Sequence, residues 1–586
     1  MQSNPKYLLI LLLIVAQTTL AQKKDENIGT EVVNVVKPYT ATISDAFKVK
    51  ETPSLDDEDN SKKEDIQYNI FSFPVASTFT PAKGKAAGVD KTKKEKLFSN
   101  YATLGFGNYG TIIGELFVTE QLNRNEYVGG MLRHHSSQGG IEEALLDDKF
   151  YNTSLDLTYG NHNKDMSWNA DLGYQHQIYN WYGTPDYLIG SLSQEDRDLF
   201  LKGIDPQQTY HNFYVGGKLG MEDSFFKGAS IKYNRFWDAY NSAENRLILK
   251  PTFEFAINDF QINTKVIVDN VSGSFERIYF DSNKIDYGFT NVGIHPSFVY
   301  NQDDLSMNIG AAFFYSIASE GDNNLFVYPQ ITAAYKIVGD LMIFYAGAEG
   351  SLQQNSYRDF TNINPFLSPT QFMIPTDRQY DIFAGLKGKL AGNISYNVRG
   401  SYTNEKAKAL FKYNSLESFT SMDPSNKAYG NGNSFGVVYD DVKTIAFSGE
   451  LKADFSKNVS FGINAALNSY TTDFEQEAWN LPAVTVGSNL NVTFTEKWFA
   501  GVEAFFVGQR FDEFLTVAND PAFFDRNKAT LDSYFDLNTN IGYRHNERLT
   551  GFLRLNNILN QSYEKWFNFP AQQFQVVLGA NYKFDF

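Results

Sequence analysis

After residue 97 the chain alternates between hydrophobic and polar residues with a period of two. The final stretch shows the pattern most clearly. Its apolar positions are Phe584, Tyr582, Ala580, Leu578, Val576 and Phe574, and its polar or small ones are Asp585, Lys583, Asn581, Gly579, Gln575 and Gln573. Val577 is the exception there, and the same alternation recurs at 260–268, 305–315 and 535–544. Because successive side chains of a β-strand point to opposite faces, the pattern predicts strands with one apolar face.

Counting these segments predicts 22 strands. They lie near residues 98–107, 109–121, 125–135, 149–161, 165–179, 209–220, 224–236, 244–257, 260–270, 285–301, 304–317, 323–337, 340–352, 378–390, 393–406, 440–455, 458–470, 483–495, 498–510, 531–545, 548–560 and 571–586. The connections after even-numbered strands are short and polar, whereas those after odd-numbered strands are mostly longer, up to 353–377 and 407–439. A transmembrane barrel with periplasmic turns and extracellular loops gives this alternation, and a soluble sandwich has no reason to. We therefore predict an all-β fold, a transmembrane antiparallel β-barrel of about 22 strands over 98–586.

The first 97 residues differ from the rest. Residues 1–21 have a basic Lys6, an apolar core of about ten residues and a small-residue end, which is typical of a signal peptide cleaved between Ala21 and Gln22. The apolar core is shorter than the roughly 20 residues that a spanning helix needs. Residues 22–97 contain an acidic run and lysine-rich stretches, and they predict a mostly extended, largely unstructured periplasmic segment.

Composition narrows the classes of function. The mean hydropathy of −0.36 is compatible with membrane strands, which need only every second residue to be apolar. The 50 Phe and 35 Tyr suit the aromatic girdles of such a barrel. The chain has no Cys, which excludes disulfides, thiol catalysis and Cys-based metal sites. A net charge of −17 argues against a nucleic-acid partner, because phosphate binding requires a basic face.

The C-terminal region resembles a known family. The run LRLNNILNQSYEKW at 553–566, the strand YFDLNTNIGY at 534–543 and a last strand ending in Phe586 are similar to the closing hairpins of TonB-dependent receptors. Twenty-two strands is also the size class of plugged outer-membrane transporters. The resemblance implies a location in the cell outer membrane and a transport or receptor role. It also implies that Phe586, Phe584 and Tyr582 form the signal read by the barrel-assembly machinery.

The sequence departs from that family ahead of the barrel. Family members carry a folded plug domain there, and residues 22–97 are too few and too polar to form one. The segment Glu31, Val32, Val33, Asn34, Val35 and Val36 is similar to the short extended motif that adds a strand to TonB. The other interpretation is a β-prone patch in a disordered tail. Without a plug a barrel of this girth encloses an aqueous hole, so we expect the long loops, the N-terminal segment or a partner protein to fill it.

Three motifs in the sequence are candidates for chemistry. The pattern Gly-Phe-Gly-Asn-Tyr-Gly at 105–110 matches a dinucleotide-binding fingerprint, but a strand rather than a helix follows, so we predict a hairpin. His134, His135, Ser136 and Ser137, followed by Glu142 and Glu143, suggest a metal or hydrolase site without a third ligand at fixed spacing. The loop 353–377 is either a binding loop or a lid over the barrel mouth. We assign no catalytic, cofactor-binding or metal residue and predict no enzyme activity and no cofactor.

The predicted function is transport or reception at the cell surface. The alternative is a non-transporting accessory or structural subunit of a larger outer-membrane complex, whose N-terminal tail docks a partner. A weaker alternative is a passive porin. The expected partners are outer-membrane lipid, the assembly machinery during biogenesis, and either TonB or another periplasmic or outer-membrane protein, with no nucleic acid. No motif encodes the substrate.

Overall fold

The computed structural model describes residues 96–586 except 143, 186–188, 191, 258–259, 418–426 and 518–523. The predicted cleavage site at Ala21, the TonB-like segment 31–36 and nearly all of the 22–97 extension lie outside the described residues. Those interpretations remain predictions. The description below therefore concerns the barrel and the loops attached to it.

The described chain is built almost entirely of β-strands. The strands are β1 (Asn100–Gly107), β2 (Ile112–Gln121), β3 (Glu126–Ser137), β4 (Phe150–His162), β5 (Met166–Asn180), β6 (Gln207–Met221), β7 (Phe226–Asp238), β8 (Ala243–Ile257), β9 (Phe260–Phe275), β10 (Ile285–Gln302), β11 (Leu305–Ala318), β12 (Asn324–Val338), β13 (Met342–Gln353), β14 (Thr376–Ala391), β15 (Ile394–Leu416), β16 (Asn431–Ser456), β17 (Val459–Thr472), β18 (Val484–Thr493), β19 (Trp498–Val507), β20 (Arg510–Val517), β21 (Phe524–Leu531), β22 (Tyr534–Arg544), β23 (Leu549–Asn556), β24 (Glu564–Trp566), β25 (Phe569–Pro570) and β26 (Gln575–Phe584). Helices α1 (Gln194–Lys202) and α2 (Tyr357–Ile363) and two 3-10 turns (Asn108–Gly110 and Ala428–Gly430) lie in loops. None of the helices in the described part of the chain is both long and apolar enough to cross a membrane.

Twenty-two of these strands form one closed antiparallel sheet. Each strand from β1 to β18 pairs with the next, then β19 pairs with β22, β22 with β23 and β23 with β26. The register from Asn100 opposite Phe584 to Gly107 opposite Val577 joins β1 to β26 and closes the wall. Closure pairs every edge, which a sheet in lipid requires. The prediction of a 22-strand antiparallel barrel is confirmed.

The register sorts side chains into two faces. Outward positions are apolar, as a surface in contact with lipid requires. Leu157 and Leu172, for example, are paired across β4 and β5, and each is about two-fifths exposed. Inward positions are polar, as in the ion pair of Arg133 with Asp156 at 2.7 Å. Trp168 packs against Tyr159 at the short-turn end of the outer face, where an aromatic girdle is expected. The wall is therefore apolar outside and polar inside.

The two ends of the barrel differ in connection length. Short turns such as 163–165 and 303–304 join even-numbered strands to their successors, and the first and last strands also begin and end on that side. We assign that end to the periplasm and the long-loop end to the cell exterior. β15 and β16 are 23 and 26 residues long, well beyond the 9 to 11 that cross a bilayer, so they project outside it.

Two details of the predicted strands are wrong. The 407–439 stretch was predicted as a connection, but β15 continues to Leu416 and β16 starts at Asn431. The strand bounds also predict a connection at 511–530, but β20 and β21 form a hairpin there. The ends of β15 and β16 are buried on both faces, for example at Leu410 and Phe411, so they lack the apolar–polar alternation that marks a lipid-facing strand.

Candidate functional site: a cap on the extracellular mouth

An aromatic cluster lies at the long-loop end of the barrel, and we call it the cap. It consists of the buried side chains Tyr182, Tyr210, Phe236, Val271, Phe275, Ile285, Tyr287, Tyr357, Phe360, Leu367, Met373, Phe411, Tyr413, Phe435, Trp566 and Phe569. Tyr210, Phe236 and Tyr287 are inward positions of the wall, whereas the others come mainly from loops and projecting strand ends. The loops thus fold across the mouth and form a core of their own.

The 354–375 loop with α2 is one half of the cap. Tyr357, fully buried, packs edge-on against Phe236 and Phe275 with ring centroids 5.2 and 4.9 Å apart. Leu367 forms a parallel bridge with Phe435, and the Ser368 amide donates to the Phe435 carbonyl at 2.8 Å. These contacts agree with the lid interpretation of this loop. We call 354–375 the lid.

Two buried carboxylates of the wall hold the lid. Glu244 accepts hydrogen bonds from the Tyr357 amide at 2.6 Å and from the Tyr287 hydroxyl at 2.7 Å. Asp238 accepts from the Tyr357 hydroxyl at 2.8 Å and from the Ser242 amide at 2.9 Å. Hydrogen bonds to a buried carboxylate are stronger than neutral ones, and losing one leaves a desolvated charge short of a partner. Tyr357 therefore links the lid to the wall through backbone and side chain together.

An ion-pair group lies beside these carboxylates. The Arg246 guanidinium donates to Asp269 on the wall at 2.7 Å and to Asp359 on the lid at 2.6 Å. Asp269 neighbours Arg246 through the pairing of β8 with β9. A forked guanidinium suits such bridging because its donors diverge in one plane. The wall from β7 to β9 is therefore the docking face of the lid.

The hairpins form the other half of the cap. The Arg510 guanidinium donates to the Glu564 carbonyl at 2.7 Å, which ties β20 to the β24–β25 hairpin. The Tyr182 hydroxyl donates to the Pro570 carbonyl at 2.9 Å, which ties the same hairpin to the loop after β5. Phe569 stacks on Phe366 of the lid with centroids 4.1 Å apart. The loop after β5, the lid and β20 thus meet around this hairpin.

Asp512 is the most deeply buried charge among the hairpins. One of its oxygens accepts from the Tyr413 amide at 2.9 Å, and the other accepts from the Asn480 side-chain amide at 2.7 Å. Burial raises the pKa of Asp512 to about 7, against the opposing effect of these hydrogen bonds. The neighbouring Lys412 ammonium lies 2.8 Å from Glu513 and 3.1 Å from Glu475. The carboxyl of Asp512 therefore changes charge near neutral pH at a junction between cap segments.

The residues weighed for metal or hydrolase chemistry do not converge. His134 points outward and bonds Thr153 and Ser136 at 2.8 and 3.0 Å, whereas His135 lies on the inner face against Phe150. Within the described ranges, no group of three or more His, Asp or Glu side chains could hold a metal ion. The 105–110 pattern forms the end of β1 and a 3-10 turn that leads into β2, which agrees with the hairpin interpretation.

The C-terminal aromatic residues lie on the apolar face of the last strand, as the alternation in the sequence predicts. Tyr582 and Phe584 are on the outer face of β26 with ring centroids 6.2 Å apart, and Phe584 contacts Phe586 edge-on. Phe586 is 82% exposed. Their part in barrel assembly remains a prediction.

Sequence reasoning missed the cap and its carboxylates, Asp238, Glu244 and Asp512. One signal was present. The run Trp566-Phe567-Asn568-Phe569-Pro570 lies in a loop, and so dense an aromatic run in a loop indicates burial rather than solvent exposure. The partners of that run come from distant parts of the chain, so the sequence did not identify them.

A closed 22-strand wall, apolar outside and polar inside, defines an outer-membrane β-barrel. No protein-family model and no curated protein matches the sequence. Solved structures do match. The ferripyoverdine receptor of the Pseudomonas aeruginosa outer membrane is 14% identical with a TM-score of 0.60, over 83% of this chain and 72% of that one.

Two further structures are similar. The copper transporter OprC is 12% identical with a TM-score of 0.58, over 83% of this chain and 80% of that one. The FrpB iron transporter from Neisseria meningitidis is 9% identical with a TM-score of 0.61, over 84% and 82%. At such identities the likeness concerns the fold. The chain has the barrel fold of TonB-dependent outer-membrane receptors, as its C-terminal sequence indicated.

Proposed function

We propose that this protein is a transport-related receptor of the outer membrane whose cap controls access from the cell exterior to the polar lumen. The cap is the observation that supports the proposal. Buried aromatic side chains fill the mouth, yet the segments that supply them are loops attached to a rigid wall. Loops placed on a rigid scaffold are where binding and gating residues concentrate. The similar structures include receptors and transporters, which favours the same class of role here.

A permanently open porin fits the cap poorly. A porin conducts because its lumen holds a continuous water column. Here Tyr357 and Phe569 are almost completely buried in the mouth, where such a column would pass. Passage therefore requires the cap to rearrange, and the lid is the segment with a defined set of contacts to release.

Ion conductance across a planar bilayer tests this proposal. The chain has no Cys, so a single engineered pair, Leu367→Cys with Phe435→Cys, joins the lid to β16 at the bridge between them. We expect low conductance from the wild type and from the oxidised pair, and openings from the reduced pair, whose apolar contact is lost. The two single Cys variants under the same oxidant serve as controls.

Deletion of the lid is the complementary measurement. Replacement of 354–375 by a short Gly-Ser linker should give a large, steady conductance. If the lid-deleted barrel, shown to be folded by its heat-dependent mobility on gels, conducts no more than the wild type, the cap does not control the lumen and the proposal fails. A large non-selective conductance from the wild type would also contradict it.

The tail belongs to the same proposal. We propose that 1–21 is removed, that 22–97 extends into the periplasm, and that 31–36 adds a strand to TonB. The accessory-subunit alternative gives the tail a different partner. A mild-detergent pull-down from native membranes separates them: other outer-membrane proteins in near-equal amount, lost on deletion of 22–97, favour the accessory role.

A further inference from the structure

Three of the seven histidines of the chain lie in one row on the outer face of the barrel. The register places His134 opposite Thr153, Thr153 opposite His176, and His176 opposite His211. The row continues to Trp237 on β7. Outward positions of a membrane strand are normally apolar or, at the interfaces, aromatic. A run of histidines there calls for a physical explanation.

The row lies at the extracellular interface of the membrane. Trp168 marks the periplasmic girdle on β5, and His176 is eight positions further along the same strand and the same face. Leu172, 42% exposed, lies midway between them, as expected for the apolar belt. A strand tilted by about 40° climbs roughly 20 Å over eight residues, close to the height of the belt of about 25 Å. The row therefore lies near the extracellular edge of the apolar belt, close to the external water.

His176 and His211 form a directly opposed cross-strand pair. Their ring centroids are 5.0 Å apart. Side chains opposite each other on antiparallel strands have Cβ atoms about 5 Å apart, so a small rotation about the side-chain bonds of His176 brings its imidazole and that of His211 onto one ion. Imidazole nitrogens bind Zn²⁺ or Cu²⁺ at about 2.0–2.1 Å, and two of them leave further coordination positions for water.

A second contact prepares His211 for this role. The Tyr174 hydroxyl and Nδ1 of His211 lie 2.8 Å apart. When Nδ1–H of His211 donates to the Tyr174 oxygen, the contact orients the ring and leaves Nε2 unprotonated for a metal ion. Trp237 stacks on the other side of His211, with centroids 5.0 Å apart and planes 15° apart. The ring of His211 is thus held in place before any ion binds.

We propose that His176 and His211 form a binding site for a divalent transition metal ion of the Zn²⁺ or Cu²⁺ type on the outer wall, with Tyr174 as a positioning residue. Because this site lies outside the lumen and the cap, the proposal is independent of the proposed transport role. It also revises the expectation of no metal residue. Two histidines on different strands leave no spacing signal in the sequence.

Copper titration of the full-length protein, purified in detergent without a histidine tag at pH 7.5, tests the site. Cu²⁺ quenches a nearby indole, and Trp237 touches His211, so we expect saturable loss of tryptophan fluorescence at one Cu²⁺ per chain. His176→Asn and His211→Asn should each weaken binding at least tenfold. Tyr174→Phe should weaken it about tenfold, the lower end of the range of about 10- to 100-fold for loss of a supporting hydrogen bond to a ligand. Added Zn²⁺ should compete.

The control is His134→Asn. His134 shares the row and the outward face but is separated from His176 by Thr153, and both its ring nitrogens contact hydroxyl groups. It should bind Cu²⁺ like the wild type. Paramagnetic resonance of the copper complex should show two nitrogen ligands in the wild type and one in either single variant. Quenching that does not saturate in the wild type would overturn the proposal. So would a wild-type affinity for Cu²⁺ in the His176 and His211 variants, or a loss of affinity in the His134 variant as large as theirs.

Discussion

Removal of one atom, the hydroxyl oxygen of Tyr357, should weaken the attachment of the lid to the wall. The Tyr357 hydroxyl donates to the buried carboxylate of Asp238, and the Tyr357 ring packs against Phe236 and Phe275. Tyr357→Phe removes the hydrogen bond and keeps the ring. A hydrogen bond to a charged group contributes about 1.5–3 kcal/mol, so the ratio of open to closed lid should rise roughly 10- to 150-fold.

Tyr357→Ala also removes the ring. Truncation of a buried aromatic side chain costs about 3–5 kcal/mol, so this variant should increase lid opening by about two to three and a half orders of magnitude. The barrel itself should remain folded, because its wall is held by the pairing of 22 strands that the lid does not supply. The order of effect is therefore wild type, then Tyr357→Phe, then Tyr357→Ala.

Two assays measure this order. Hydrogen exchange followed by mass spectrometry reports the opening of 357–363 directly, and planar-bilayer recordings report the fraction of time that the lumen conducts. Tyr233→Phe is the matched control, since its hydroxyl bonds Asn245 at 2.7 Å on the outer wall, away from the cap. Exchange of 357–363 that is the same in the wild type and both Tyr357 variants would refute the assignment of this residue as the lid anchor.

The remaining predictions concern charge, lipid contact and assembly. Burial raises the pKa of the Asp512 carboxyl to about 7 from an ordinary value of 3.8, so the folded β20–β21 hairpin binds the carboxyl proton more tightly than an opened hairpin does. The stability of the folded hairpin should therefore fall by about 2 kcal/mol from pH 5.5 to pH 8. Hydrogen exchange at Tyr413 should show that fall, and Asp512→Asn should abolish it; a pH-independent wild type would contradict the argument. Leu157→Arg on the lipid face should cost about 2–4 kcal/mol of barrel stability, whereas Thr158→Arg, one residue on and facing the lumen, should cost little; equal losses in a thermal melt would contradict the assigned faces. Deletion of Phe586 should reduce the amount of heat-modifiable barrel in the outer membrane without changing export, and an unchanged amount would remove it from the assembly signal.

The barrel was predictable from the sequence because its signal is local. Apolar and polar residues alternate within each single strand, as in β4 and β26, and two or three polar residues indicate a short turn. The same rule explains the failure at the ends of β15 and β16. There Leu410 and Phe435 are buried against other loops, and burial on both faces removes the alternation that the prediction needs.

The cap was not predictable because its contacts are not local. Phe569 meets Tyr182 and Phe366, which lie hundreds of residues away in the sequence. No period relates such positions, and a single sequence does not reveal pairs that meet only after the barrel closes. Asp512 illustrates the same limit, because burial raises its pKa and the opposing hydrogen bonds come from Tyr413 and Asn480, which lie far from it in the sequence. The aromatic content of the loops could indicate that a core exists, but not which loops share it.

The width of the barrel explains why the loops are aromatic. Small barrels fill their interior with wall side chains, whereas a wall of 22 strands is too wide for side chains from opposite sides to meet. Closing such a mouth needs segments that carry their own hydrophobic core, which is what the cap provides. Its attachment through hydrogen bonds from the lid to Glu244 and Asp238 adds a second property, because such contacts are strong when complete and costly when broken. A lid held in this way has a defined closed state and few stable intermediate ones, which is the behaviour that a gate requires and that a loop held by scattered surface contacts would lack.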